Sequence, residues 1–267
     1  MKGNNMREVT LSELLKAGVH FGHQVSRWHP KMKPFIFAAR NGIYILDLEQ
    51  TKERLERAAN FAGELAAKGG KVLYIGTKRQ AKAIVEREAQ RVGMPYVTNR
   101  WIGGTFTNFP TVSRVIAKYK KLKSEVEGGQ LGRYTKREQL GFKEELERLE
   151  GLVGGISTLD ALPAAVFIVD VKQERTAMKE ALKVGIPVIA IVDTNVNPKG
   201  VTYPIPSNDD ATKALDLILS VMTDEILSGK QKADIQVSET KEKKAEAAKE
   251  EAAAEVEDKQ KDSSNDN

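Results

Sequence analysis

Residues 72–93 read VLYIGTKRQAKAIVEREAQRVG. Val72 to Ile75 is an unbroken apolar run, the mark of a strand buried on both faces. A helical run follows, and Gly93 and Pro95 end it. The same unit recurs downstream as AVFIVD at 165–170, ERTAMKEALKVG at 174–185 and PVIAIVD at 187–193. PYVTNRW, at 95–101, adds a short strand that runs into a Gly103-Gly104 loop. Buried strands alternating with helices predict an α/β fold: a doubly wound, mainly parallel, Rossmann-like sheet covered on both faces. In such a sheet the ligand-capable edge lies at the carboxyl ends of the strands. Those ends are Gly76-Thr77-Lys78, Asn99-Arg100, Asp170 and Asp193-Thr194-Asn195.

Upstream, Thr10 and Glu13 form a capping-box signature for a short helix with Leu11, Leu14 and Leu15 as its apolar face. Residues 17–34 carry His20, His23, His29 and Trp28 among Gly, Pro and cations, which predicts an irregular loop. PFIFAA (34–39) and GIYILDL (42–48) flank Arg40-Asn41-Gly42, and Asn-Gly between apolar runs predicts a β-hairpin. Helical spacing then covers Thr51 to Ala67. Asp209-Asp210 is the expected cap of a last helix over 211–226.

Between 109 and 155 the period changes. Val112, Val115, Ile116, Tyr119, Leu122 and Val126 fall three and four apart, and Phe142, Leu146, Leu149 and Val153 repeat the spacing after a Gly-rich break. This predicts an α-helical coiled-coil hairpin at 110–155, inserted into a discontinuous α/β domain made of 1–109 and 156–229. Its outer faces carry Lys118, Lys120, Lys121, Lys123, Arg133, Lys136 and Arg137.

The chain has 267 residues, 42 Lys plus Arg, 37 Asp plus Glu, three His and no Cys, for a net charge of +5. Without Cys there is no disulfide framework, no thiolate metal site and no cysteine nucleophile. No run is long and apolar enough to span a membrane, and the first residues have no secretory apolar region, so a cytoplasmic protein is expected. The charge is uneven: residues 230–267 carry 8 basic and 11 acidic side chains, leaving the body strongly basic. That low-complexity end predicts a disordered tail, because it has too little apolar surface to offset its ordering entropy.

Enzyme signatures are sparse. GxGxxG, the Walker sequence, HExxH and GxSxG are all missing. The Gly76-Thr77-Lys78 turn is open to two readings, a phosphate cradle or an ordinary capped βα turn. The three His could ligate zinc or simply bond within their loop. Asp193, Asp209 and Asp210 could converge on Mg²⁺, or on zinc if His20 joins them; the alternative is helix capping. Against these stands a binding surface. Cations are interleaved with aromatics and Gly at Arg27-Trp28-His29-Pro30-Lys31-Met32-Lys33, at Lys78-Arg79 and at Asn99-Arg100-Trp101, a pattern suited to RNA.

These residues also carry a family resemblance. LLKAGVHFGHQVSRWHPKMKPFIFAARNGIYILDLEQT, VLYIGTKRQA, NRWIGGTFTNFPTV, GIPVIAIVDTNVNP and YPIPSNDDA occur in order, and together they resemble the S2 family of small-subunit (30S) ribosomal proteins. The helical hairpin resembles its bacterial and organellar branch. The chain departs from the family pattern at Ala164, Asn197 and Ser207. The resemblance implies a structural constituent of the small subunit without catalysis or a required cofactor. Its implied partners are 16S rRNA, ribosomal protein S1 and other small-subunit proteins, with no membrane and no small-molecule substrate. From charge and loop position, the expected rRNA contacts are Arg27, Lys31, Lys33, Arg40, Lys78, Arg79 and Arg100, with Lys118, Lys121, Arg133 and Lys136 on the hairpin.

Overall fold

The computed structural model describes residues 9–233, apart from the side chains of Gln130 and Arg133. The chain opens with α1 (Leu11–Lys16), whose Thr10–Glu13 capping box is formed in both directions. Of its three leucines only Leu14 is buried, while Leu11 and Leu15 face solvent. Next come β1 (Phe21–Gln24), two 3₁₀ turns, β2 (Ile36–Arg40) and β3 (Ile43–Leu46). These strands make a small antiparallel sheet in the order β1-β3-β2. Asn41 and Gly42 both take positive φ, 51° and 75°, which is the left-handed turn that Asn-Gly favours between two strands. β1 lies where a loop was expected; its FGHQ side chains are half-exposed and gave no apolar run to read.

The main sheet is assembled from β4 (Val72–Ile75), β5 (Tyr96–Val97), β6 (Ala165–Ile168), β7 (Val188–Val192) and β8 (Tyr203–Pro206). All pairs are parallel and the spatial order is β5-β4-β6-β7-β8. The strand order reverses between β4 and β6, so the crevice above their carboxyl ends is the switch point of the doubly wound sheet. β8 is an edge strand reading Tyr-Pro-Ile-Pro, and its two prolines hide it from a sequence reading. Proline cannot donate to a ladder, but an edge strand has one side with no ladder to serve.

Side-chain alternation along the strands divides the core in two. Val72, Tyr74, Phe167, Ile189 and Ile205 pack against α2 (Leu48–Ala67), α3 (Lys82–Arg91) and the last helix, α7, at residues 212–233. Leu73, Ile75, Val166, Ile168 and Ala190 pack on the other face against α6 (Arg175–Val184), Met32, Phe35 and Trp101. α7 continues past the expected border at 230 as far as 233. The expected tail at 234–267 lies outside the described residues.

The insertion is two helices, α4 (Phe109–Glu127) and α5 (Lys136–Val153), joined by a short 3₁₀ turn. Val112, Ile116, Tyr119, Leu149 and Val153 are buried between them and continue into the second core through Trp101 and Phe106. The root of the hairpin is therefore part of the α/β core. One carboxylate secures that root. Glu180 of α6 accepts from the Trp101 indole N–H at 3.1 Å and from the backbone N–H groups of Gly104 at 2.8 Å, Phe106 at 3.0 Å and Thr107 at 3.3 Å. Burial would raise the pKa of this carboxyl, but the converging donors outweigh it and hold the group below its ordinary value. A depressed carboxyl contributes stability above its unfolded pKa and loses it as pH falls through the folded one. Glu180→Gln should cost about 2 kcal/mol at neutral pH, since the amide turns an acceptor into a donor facing N–H groups. The gap between parent and variant should then close below about pH 4.3. Denaturant melts between pH 7 and 3 measure it, and a gap that stays constant would rule the clasp out.

Candidate functional site

The carboxyl ends of the strands meet the small N-terminal sheet at the loop after β7. Gly22 of β1 lies flush against this loop, where a Cβ would fall 2.5 Å from Thr194 Cγ2, so only glycine allows the approach. The backbone N–H of His23 donates to Thr194 Oγ1 at 2.8 Å, and that of His29 to the Thr194 carbonyl at 2.8 Å. Asn208 N–H donates to the Val19 carbonyl at 3.0 Å. The Phe-Gly-His run is thus a docking surface for the Asp193-Thr194-Asn195 loop.

The switch-point crevice is filled by the chain's own charges. Lys78 Nζ lies 2.9 Å from Asp209 Oδ1, 2.7 Å from Asp210 Oδ1 and 3.4 Å from Asp170 Oδ2. His23 Nδ1 is 3.0 Å from Asp193 Oδ2, and its Nε2 is 3.5 Å from Asp210 Oδ2. Burial opposes the charge on Lys78, but its bonds to Asp210 and Asp209 outweigh this and push its pKa up. Asp209 is pushed up to about 7 by burial and by the nearby charges of Asp193 and Asp170, against the pull of Lys78. The hydrogen bond to Asp193 raises the pKa of His23 against the opposing effect of burial. In the βα turn, Glu174 accepts from the Thr77 N–H at 2.9 Å and from its hydroxyl at 2.6 Å. A phosphate cradle needs those donors free. Here a carboxylate holds them, and the phosphate reading of the Gly76-Thr77-Lys78 turn is set aside.

The structure revises the predicted metal set. His20 is not with the carboxylates. Its ring packs on Phe21 at 4.0 Å between centroids, its Nδ1 is buried without a partner, and burial lowers its pKa. His23 takes that place, and its ligand atoms with those of Asp193 and Asp209 lie within 4.8 Å of one another. His20 lies in the turn before β1 and His23 on the strand itself, so the two rings stand apart and His23 is the one that meets the carboxylates. One imidazole and two buried carboxylates form a donor set that could hold a divalent ion. Lys78 and a protonated His23 already supply positive charge to the same oxygens. Asp210 sits at the rim, half-exposed. It does not cap α7: Asn208 Oδ1 accepts from the N–H groups of Asp210 and Ala211, at 2.7 and 2.9 Å.

The predicted RNA-contacting cations separate into classes. Lys78 is turned inward, so it is removed from the surface set. Lys118 pairs with Glu145 at 2.8 Å, and Lys121 reaches Glu125 at 4.0 Å. Arg27, Lys31, Lys33, Arg40, Arg79, Arg100 and Lys136 are exposed. The side chain of Arg133 lies outside the described residues. Trp28 packs near Tyr44 at 5.3 Å, while Trp101 is buried on Glu180. Glu174, Glu180 and His23 carry the geometry of this region. Their sequence surroundings, a helix start, a helix interior and a histidine-rich loop, do not announce partners 73 to 171 residues away.

Lys78→Met would strand three carboxylates around an apolar side chain. The expected loss is about 3–5 kcal/mol, because an ion left unpaired in a buried cluster keeps its desolvation cost. Asp209→Asn in the same chain should recover part of it. Urea melts of the single and double variants test this, and a single-variant loss under about 1 kcal/mol would show that the network is not structural.

The family model described as Ribosomal protein S2 matches residues 14–229. A curated relative, small ribosomal subunit protein uS2 of Coprothermobacter proteolyticus, is 51% identical over 226 residues, covering 85% of this chain and 84% of the relative. The matched span takes in both sheets, the hairpin and the Lys78 network, and the chain belongs to the ribosomal protein S2 family.

Proposed function

We propose that this chain is a structural constituent of the small ribosomal subunit that binds 16S rRNA and neighbouring ribosomal proteins, helps anchor ribosomal protein S1 for mRNA binding, and works in the cytoplasm without catalysis. The observation that carries the reading is the contrast between two sets of charges. The charges in the switch-point crevice, where an α/β enzyme would bind substrate, are consumed by one another. Arg27, Lys31, Lys33, Arg40, Arg79, Arg100 and Lys136 are instead exposed and make no ion pair among the described residues. Cations held on a rigid frame and free of carboxylates suit a polyphosphate backbone. Lys118 and Lys121 would have to exchange an acidic neighbour for phosphate, so they rank below the free set. No metal is required in this reading. If a Mg or Zn ion is bound, His23, Asp193 and Asp209 are its ligands.

A protein-binding face is the natural role of an apolar patch beside the small sheet. Phe37 is 78% exposed on β2, and Leu15 is 55% exposed on α1. Together with Ile45 and Leu48 they line a shallow cavity of about 360 Å³ beside His20. Exposed apolar surface of this kind marks a contact with another protein, and we assign it to S1 or a neighbouring subunit protein.

Neutralising Arg27, Lys31, Lys33 and Arg40 together should weaken binding to small subunits stripped of this chain. It should also flatten the salt dependence by about 0.7 to 0.9 in log–log slope per lost phosphate contact. A titration between low and moderate salt reads both, and a slope equal to the parent's would refute rRNA contact at these positions. Phe37→Asp should leave rRNA affinity unchanged and lower the retention of S1 on gradient-purified subunits. Full S1 occupancy in that variant would move the anchor elsewhere.

A further inference from the structure

The turn between β2 and β3 carries a reactive pair of residues that the binding surface does not use. Residues 40 to 43 are all exposed, and the turn holds Asn41 and Gly42 at φ 51° and 75°. Asn41 is the one asparagine of the chain that is followed by glycine. Among the described residues its side chain makes no hydrogen bond, and neither does the Gly42 N–H. A Cβ built on Gly42 would meet nothing within 4 Å, so the space beside its nitrogen is open. The Gly42 carbonyl is engaged: it accepts from the Val25 N–H at 3.0 Å, which ties the turn to the 3₁₀ segment carrying Arg27. β2 is an edge strand, exposed from Phe37 to Arg40, so this end of the hairpin opens more readily than the core.

We propose that Asn41-Gly42 is a deamidation site, and that the carboxylate it produces beside Arg40 weakens rRNA binding by chains that age before they assemble. The consequence rests on the rRNA-binding reading above; the reaction itself does not. When the turn opens, the Gly42 nitrogen forms a bond to Asn41 Cγ and gives its proton to water. The Cγ–Nδ2 bond breaks, that nitrogen leaves as ammonia, and a five-membered imide remains. Water then opens the imide at either carbonyl. One opening leaves aspartate at position 41 in an ordinary main chain. The other leaves isoaspartate, in which the main chain runs through the side-chain carbon. Across both steps one water is consumed and one ammonia is released, with no change of oxidation state. Glycine lets the ring close, because a Cβ at position 42 would crowd the approaching carbonyl. Either product places a carboxylate where it competes with phosphate for the Arg40 guanidinium. Isoaspartate also lengthens the main chain within a two-residue turn, which shifts the Gly42 carbonyl away from Val25. rRNA lying across Arg27 and Arg40 holds the turn closed, so assembled chains keep their asparagine.

The test incubates the full chain at mildly alkaline pH, both free and within small subunits, and follows the peptide containing position 41 by mass spectrometry. The chain unfolded in guanidinium sets the time scale, and Asn99, exposed but followed by Arg100, is the internal reference. Position 41 should convert in the free folded chain while Asn99 stays intact, and several-fold more slowly within subunits. Asn41→Asp keeps a turn that Asp-Gly also favours. It should bind small subunits stripped of this protein several-fold more weakly, with the log–log salt slope lower by about 0.7 to 0.9, one phosphate contact. No product in the folded chain by the time the unfolded chain is converted would overturn the site. Equal rates in free and assembled chains would refute protection by rRNA. Parent-like binding of Asn41→Asp, alongside weakened binding on neutralising Arg27, Lys31, Lys33 and Arg40, would overturn the consequence and leave rRNA binding standing. If neither variant alters binding, the rRNA reading and the consequence drawn from it fall together.

Discussion

One ammonium group organises the functional edge of this molecule. Lys78 leaves the end of β4 and holds Asp170 from the end of β6 together with Asp209 and Asp210 from the entry to α7. The partners come from two separate elements, and each carboxylate is tolerable in that setting because the ammonium is there. Remove it and like charges face one another at low dielectric, where repulsion is strongest. The same contact closes the crevice that the topology opens. A doubly wound sheet offers a ligand cleft where its strand order reverses, and here that cleft is spent on internal ion pairing. The fold is a platform, and function has moved to its outside.

The platform extends in two directions by close fit. Toward the N-terminus, the small antiparallel sheet lies against the loop after β7 through Gly22 and Thr194, with backbone bonds from His23 and His29 fixing its orientation. This holds the 3₁₀ turn carrying Lys31 and Lys33, and with it the cation-rich rim, as a rigid part of the body. Toward the insertion, Glu180 gathers four N–H groups of the Trp101 to Thr107 segment immediately before α4. A long two-helix arm gains leverage from such an anchor, because its tip can be placed only as well as its root is held. In both directions a buried polar group positions charges displayed well away from it.

Much of this was legible in the residues, and the limits have physical causes. VLYI, AVFI and VIAIV could be read as strands because burial on both faces leaves no polar residue to interrupt them. The heptad-like spacing of α4 and α5 and the Asn41-Gly42 turn are likewise local patterns. β1 and β8 escaped because neither has that signature: one is half-exposed, and the other is an edge strand with two prolines. His20 was expected beside the carboxylates and His23 stands there, since His20 sits in the turn before β1 while His23 is on the strand that docks on Thr194, a difference that two nearby histidines do not reveal. Lys78 looked like a surface cation because a one-dimensional reading counts its charge and misses its partners 92 to 132 residues on.

The sequence alone determined the class of fold, the inserted helical hairpin, the basic character of the body and the family blocks, because each is written in neighbouring residues as period, composition or order. Only the tertiary structure decided which charges are free. Ion pairing depends on which strand ends and loops meet across the sheet. That meeting turns Lys78, Glu174 and Glu180 inward and leaves Arg27, Lys31, Lys33 and Arg100 exposed.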